Sequence, residues 1–298
     1  MATFDLPGFR NRVRVELYAG ITQEQLLEYE PFQKWQSTLA TNLELQDDPA
    51  HPFKQYPFFL KEIEIQSIRW LEQRLLFVKM KARVVNEAKP PQELPGIVLL
   101  RVGSVAVLMI LSPKNSQNER LVILTEQARV PAGSLTFKEI PAGMIDKDGN
   151  GKRGFAGAAA REIEEETGLQ LPESKLIDLT ELALAKTQSP EKRLELAMYP
   201  SLGGCDEFIH IFLWIKDLER QEIEHLKGKL TGLRKRGELI KLHVCNYEDL
   251  WREGARDAKT LAAWALYEGL NRSGVLSKEL RRMKQEAIKS KCIEAGRE

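Results

Sequence analysis

The run Arg161-Glu162-Ile163-Glu164-Glu165-Glu166 places several carboxylates beside one arginine, and its spacing becomes chemistry if the segment is helical. Glu165 and Glu166 lie three and four positions beyond Glu162, so on a helix these side chains project from one face. Gathering them costs repulsion unless a cation sits among them. Mg²⁺ or Mn²⁺ meets that need, because hard divalent cations prefer oxygen ligands and keep positions open for water and phosphate oxygens. The plain alternative is a solvated acidic face, which is what most exposed charge runs are.

The surroundings favour the metal. Ile140-Pro141-Ala142-Gly143-Met144 reads as an apolar turn where a backbone carbonyl can approach an ion, and Ala156, Gly157, Ala158, Ala159 and Ala160 suit close packing of a helix on a sheet. Gly168 supplies a residue that tolerates the left-handed conformation at a helix end. About thirty residues on, Tyr199-Pro200-Ser201-Leu202-Gly203-Gly204-Cys205-Asp206-Glu207 is either an ordinary Gly-rich turn or a loop that delivers a carboxylate to water, with Glu207 ahead of Asp206. Arg129 closes the string Thr125-Glu126-Gln127-Ala128-Arg129 at a strand end. Alone it reads as a surface ion-pair partner, but its planar guanidinium also suits a diphosphate.

The elements that position these groups follow from periodicity. Val13–Leu17 and Glu62–Gln66 alternate like strands, the latter leading on to Trp70-Leu71, and a helical pattern runs from Thr22 to about Leu45 with a break at Pro31. Lys89–Pro95 is the strongest boundary signal, dividing a segment of residues 1–95 from a domain of 96–298. Beyond it, 102–111, 121–124, 208–215 and 240–244 read as strands. Residues 155–167, 221–229, 257–270 and 277–293 read as helices, and Leu261, Ala262, Trp264, Ala265 and Leu266 are the expected apolar side of the third. Strands and helices interleave without strict βαβ order, which favours an α/β (α+β) fold with a mixed sheet.

Bulk properties exclude several classes. A net charge of +1 gives no support to a general nucleic-acid or membrane-surface binder. Cys205, Cys245 and Cys292 show neither disulfide nor zinc spacing. No signal or transit peptide is visible, and Val105–Leu111 is too short to cross a bilayer, so a cytoplasmic protein is expected. Trp35, Trp70 and Trp251 are expected in the core rather than stacked on a base, and no role attaches to His51, His210, His225 or His243.

Gly143 followed by Arg161-Glu162-Ile163-Glu164-Glu165-Glu166-Thr167-Gly168-Leu169 resembles the box of the Nudix hydrolases, and its second half matches at every specified position. The first half departs: Arg153 stands where the family has an isolated Glu, and the spacing is longer by about four residues, filled by Asp148–Gly151. The resemblance implies an α/β/α sandwich preceded by a smaller β/α segment. It implies metal ligation by Glu162, Glu165, Glu166 and the carbonyl of Ala142, with Arg161 orienting a carboxylate. Glu207 then matches a loop Glu that acts as general base or holds metal. Arg129 matches a diphosphate-gripping residue, with Gly143, Met144 and Gly204 as further substrate contacts. The strings around Arg129, Glu207, Gly228–Leu242, Tyr247–Trp251 and Asp257–Leu261 are similar to those of the ADP-sugar diphosphatases. That group implies Mg²⁺-dependent hydrolysis of ADP-ribose or ADP-glucose to AMP and a sugar phosphate, by a homodimer whose N-terminal segment contributes to the interface. Other nucleoside diphosphate substrates (UDP-glucose, GDP-mannose, NADH, dinucleoside polyphosphates) and a non-catalytic nucleotide-sugar sensor stay open on these residues. The basic cluster Arg234-Lys235-Arg236 reads as a solvated loop or a phosphate contact.

Overall fold

The computed structural model describes residues 2–116, 118–145, 154–185, 193–232 and 239–295. Arg153, the Asp148–Gly151 stretch and the Arg234–Arg236 cluster lie outside them. The chain divides into two compact units, Met1–Gly103 with Gln188–Glu195 and Tyr199–Phe208, and Ser104–Thr187 with Leu196–Met198 and Ile209–Glu298.

The first unit is built on a six-stranded sheet. Its elements are β1 (Thr3–Leu6), β2 (Val13–Glu16), α1 (Gln23–Glu28), α2 (Glu30–Glu44), β3 (Phe59–Leu71), β4 (Arg74–Val85), β5 (Glu93–Leu94) and β6 (Ile97–Arg101). Strands run β1-β2-β3-β4-β5, with β6 also on β4. The helical pattern expected to break at Pro31 is two helices, parted at Tyr29. Thr22 caps α1 through a reciprocal pair with Gln25, and Pro31 sits in the first turn of α2, where its missing N–H costs nothing. Val13, Val15, Leu26, Phe32, Leu60, Ile63 and Met80 form the core, and Trp35 and Trp70 pack against it.

The second unit is a mixed eight-stranded sheet between helical layers, the sandwich expected. In chain order come β7 (Ser104–Pro113), β8 (Leu121–Arg129), β9 (Ser134–Glu139), β10 (Ala142–Met144), α3 (Phe155–Thr167), β11 (Ile177–Asp178) and α4 (Leu179–Leu184). After them come β12 (Ile209–Leu218), α5 (Arg220–Leu226), β13 (Leu230–Thr231), β14 (Ile240–Asn246), α6 (Leu250–Glu253), α7 (Ala258–Arg272) and α8 (Val275–Ala295). The order is β11-β12-β7-β8-β14-β13, with β10 on β7 and β9 on β8. Strand β7 is buried on both faces. Val105, Val107, Met109 and Leu111 meet α3 and α5, while Ala106, Leu108 and Ile110 meet the residues of α4 and α7. A strand covered on both sides needs no polar alternation, which is why it reads as an unbroken apolar run.

Three expectations are corrected here. Within the expected 140–144 turn, Ala142–Met144 is in fact β10, because Gly143 and its neighbours pair antiparallel with β7. The fully buried side of α7 is Thr260, Ala263, Tyr267 and Leu270, on three- and four-residue steps; of the expected residues Ala262, Trp264 and Leu266 pack partly buried against the same core, and Ala265 is exposed. Trp251 is 50% exposed and is not core. Among the described residues, no helix is long and apolar enough to cross a membrane.

Helix α7 is tied to the sheet through Thr260, which is fully buried. Its hydroxyl accepts from the Ile140 N–H at 3.0 Å and donates to the capping carboxylate of Asp257 at 2.5 Å. Thr260→Val keeps the shape but leaves the buried Ile140 N–H without its acceptor and takes one of the donors from Asp257, and should lower unfolding free energy by about 1–3 kcal/mol in denaturant titrations.

Candidate active site

Helix α3 starts after Gly154 and ends where Gly168 takes a φ of 73°, the left-handed conformation anticipated there. Gly157, Ala158, Ala159 and Ile163 face the sheet, and their small size lets the backbone come close. That approach brings the last turns of the helix onto β10 and β8. Glu166 is 7% exposed; its carboxylate accepts from the Ala142 N–H at 3.0 Å and from Gln127 Nε2 at 3.2 Å. Burial pushes its carboxyl up to about 8, with further repulsion from Glu139 and Glu162, against the opposing effect of those two hydrogen bonds.

Glu162, one turn earlier, lies directly over Gly143. A Cβ built on Gly143 would fall 1.9 Å from a carboxylate oxygen of Glu162, so the space a side chain would take is filled by that carboxylate. Glu165 is partly exposed, with Arg161 Nε 4.0 Å from its Oε1. Met144 pairs with Ser104 at the end of β10. The structure therefore brings Ala142, Gly143, Glu162 and Glu166 together, and adds Gln127 and Glu139, which sequence reading left without a role. Gln127 sits inside the Glu126-Gln127-Ala128-Arg129 string, so the signal was present. Glu139 had none, because its significance comes from pairing: Arg129 Nε donates to it at 2.6 Å.

Glu207 and Gly204 belong to the first unit. Their loop is fastened to β6: Leu99 N–H donates to the Gly204 carbonyl at 2.7 Å, and Arg101 N–H donates to Asp206 Oδ1 at 2.9 Å. Glu207 is ion-paired with Arg101 at 3.2 Å. Asp206 thus anchors the loop through its side chain, and burial pushes its carboxyl up to about 7. A second buried pair joins His210 Nδ1 to Asp178 Oδ2 at 2.9 Å, and His210 stacks on Phe155. It gives one of the unassigned histidines a structural place at the start of α3.

The α3 residues fit a hard divalent cation by donor type and by placement. Two carboxylates approach a sheet edge, one of them is buried against like charge, and the other fills the cradle over Gly143. Among the described residues, no group of three or more His, Cys, Asp or Glu side chains could hold an ion by itself. As the side chains stand, the remaining ligands would be carbonyl oxygens, water or substrate, and Glu165 would have to turn toward the ion to join them.

Gly143→Ala must displace the Glu162 carboxylate. Mn²⁺ affinity measured by electron paramagnetic resonance should fall at least about tenfold while the thermal midpoint stays close to wild type. For Asp206, a folded-state pKa raised above the ordinary value means that the folded chain binds more protons than the unfolded one. The resulting penalty is fully present above about pH 7 and fades as pH falls toward 3.8. Asp206→Asn retains the acceptor for Arg101 and removes that penalty. Its thermal midpoint should exceed wild type at pH 8, and the gap should narrow at pH 5.

The NUDIX domain model matches residues 101–264. Nudix hydrolase 14, chloroplastic, of Arabidopsis thaliana is 40% identical over 220 residues, 74% of this chain. The chain spans 66% of that curated relative's length. A solved structure described as an ADP compounds hydrolase is similar at 16% identity and a TM-score of 0.42, over 72% of this chain and 98% of that one. With the NUDIX match spanning more than half of the chain, this chain belongs to the Nudix family.

Proposed function

We propose that the chain hydrolyses the diphosphate of a nucleoside diphosphate sugar, ADP-ribose or ADP-glucose, to AMP and a sugar phosphate in a Mg²⁺-dependent reaction. The observation that carries this reading is the α3 carboxylate pair, with Glu166 buried against the sheet and Glu162 seated over Gly143. The substrate class rests on the Glu126-Gln127-Ala128-Arg129 and Pro200–Glu207 strings.

In this reading Glu162 and Glu166, with Glu165 and the Ala142 carbonyl, hold Mg²⁺, and Mn²⁺ can replace it. The ion supplies charge neutralisation on the diphosphate and activation of water. Arg161 steadies Glu165. Arg129 grips diphosphate oxygens through its planar donor fork and fixes the phosphorus for in-line attack. Gly143, Met144 and Gly204 let the backbone approach the substrate. Glu207 accepts the proton of the attacking water, or contributes to ion binding, as the P–O–P bond breaks toward the leaving phosphate. A homodimer built on residues 1–95 and a cytoplasmic location belong to the same proposal.

Product analysis across ADP-, UDP- and GDP-sugars with Mg²⁺ tests it. AMP release from ADP-ribose or ADP-glucose in preference to UMP or GMP release is expected, and turnover of none of them would sink the reading. Glu166→Gln should lower turnover by roughly a thousandfold or more while metal-free thermal stability is kept. The same variant should lose the Mg²⁺-induced rise in thermal midpoint, which reads ion binding directly.

A further inference from the structure

Glu139, at the end of β9, is 2% exposed, and its two oxygens serve two cations. Oε1 takes Arg129 side-on, with Nε at 2.6 Å and Nη2 at 2.5 Å, while Oε2 accepts from Lys259 Nζ. Lys259 also meets Asp257 Oδ1 at 3.0 Å. The set of Glu139, Asp257, Arg129 and Lys259 is neutral as built.

Lys259 is not placed there by the needs of its helix. It is the second residue of α7 after the Asp257 cap, where the helix dipole disfavours a cation. The cap itself is made without it, by Asp257 accepting from the Thr260 N–H and hydroxyl. What Lys259 does is occupy Oε2 of Glu139. That confines Nε and Nη2 of Arg129 to one oxygen, on a side chain that is 39% exposed and whose Nη1 faces away from this carboxylate pairing. Without Lys259, Glu139 would offer both oxygens, the geometry in which carboxylates bind a guanidinium most tightly. Two acids would then face one base.

We propose that Lys259 is a positioning residue that neutralises Glu139 and so keeps the charge and donors of Arg129 available to the substrate's diphosphate. The inference rests on reading Arg129 as the diphosphate contact. Kinetics, together with calorimetric binding of ADP in EDTA, separate the two on the full-length chain. Lys259→Met should raise KM and weaken ADP binding by about tenfold, with kcat changed far less, and Lys259→Arg should recover most of the loss. Arg129→Ala should weaken ADP binding at least as much, and adding Lys259→Met to it should cost little more. If Arg129→Ala is impaired but Lys259→Met binds ADP like wild type, the role of Lys259 is wrong. Wild-type ADP binding in Arg129→Ala overturns the Arg129 reading itself. Should Lys259→Met fail to fold, Glu139→Gln combined with Lys259→Met removes both charges. That pair should restore ADP affinity, and a persistent loss in the folded double variant overturns the proposal.

Discussion

A carboxylate withdrawn from water loses hydration that two neutral hydrogen bonds do not replace, and Glu166 is held in that condition where α3 meets β8 and β10. Much of the second unit can be understood from the need to get it there. The helix must come close to the sheet, so its inner face is made of Gly157, Ala158 and Ala159. The neighbouring carboxylate also needs room, so the facing strand has no side chain at Gly143. Burial and like-charge repulsion together leave the site favourable to a divalent cation and unfavourable to itself.

That arrangement brings a second requirement. Glu139 adds to the repulsion at Glu166 and is itself buried, so it must be neutralised locally. Arg129 and Lys259 do so from opposite sides, one from the end of β8 and the other from the start of α7. Helix α7 is therefore part of the electrostatics of the site as well as a cover for the sheet. Thr260 fastens it at the right depth by linking Asp257 to the backbone of Ile140.

Features legible in the sequence were those with local causes. The limits of α3 could be read from its small residues and Gly168, and the strand character of β7 from its apolar run. The division of the N-terminal helix was signalled by Pro31. Short elements were lost because they exist only through their partners: β10 has three residues and is a strand because β7 lies beside it. The same holds for chemistry. The helix acids announce themselves by spacing, whereas Glu139 and Lys259 lie 120 positions apart and acquire meaning only in contact. Asp206 beside Glu207 shows the reverse case, two adjacent acids that sequence weighs for one role and that the fold separates into an anchor and an ion-paired group.

Strands β7 and β12 pair in parallel over their whole lengths, and Ile209 meets Ser104 from 105 positions further along the chain. A parallel neighbour so distant in sequence cannot form early, because a long loop must be closed first. On a ribosome adding ~5–20 residues per second, β7 emerges roughly 5–20 seconds before β12 follows it. For that interval Val105 to Leu111 is an apolar strand with one long edge open, provided at first only with its hairpin partner β8. The strand that supports the site in the finished protein is thus also a stretch exposed to wrong pairing while the protein is being made.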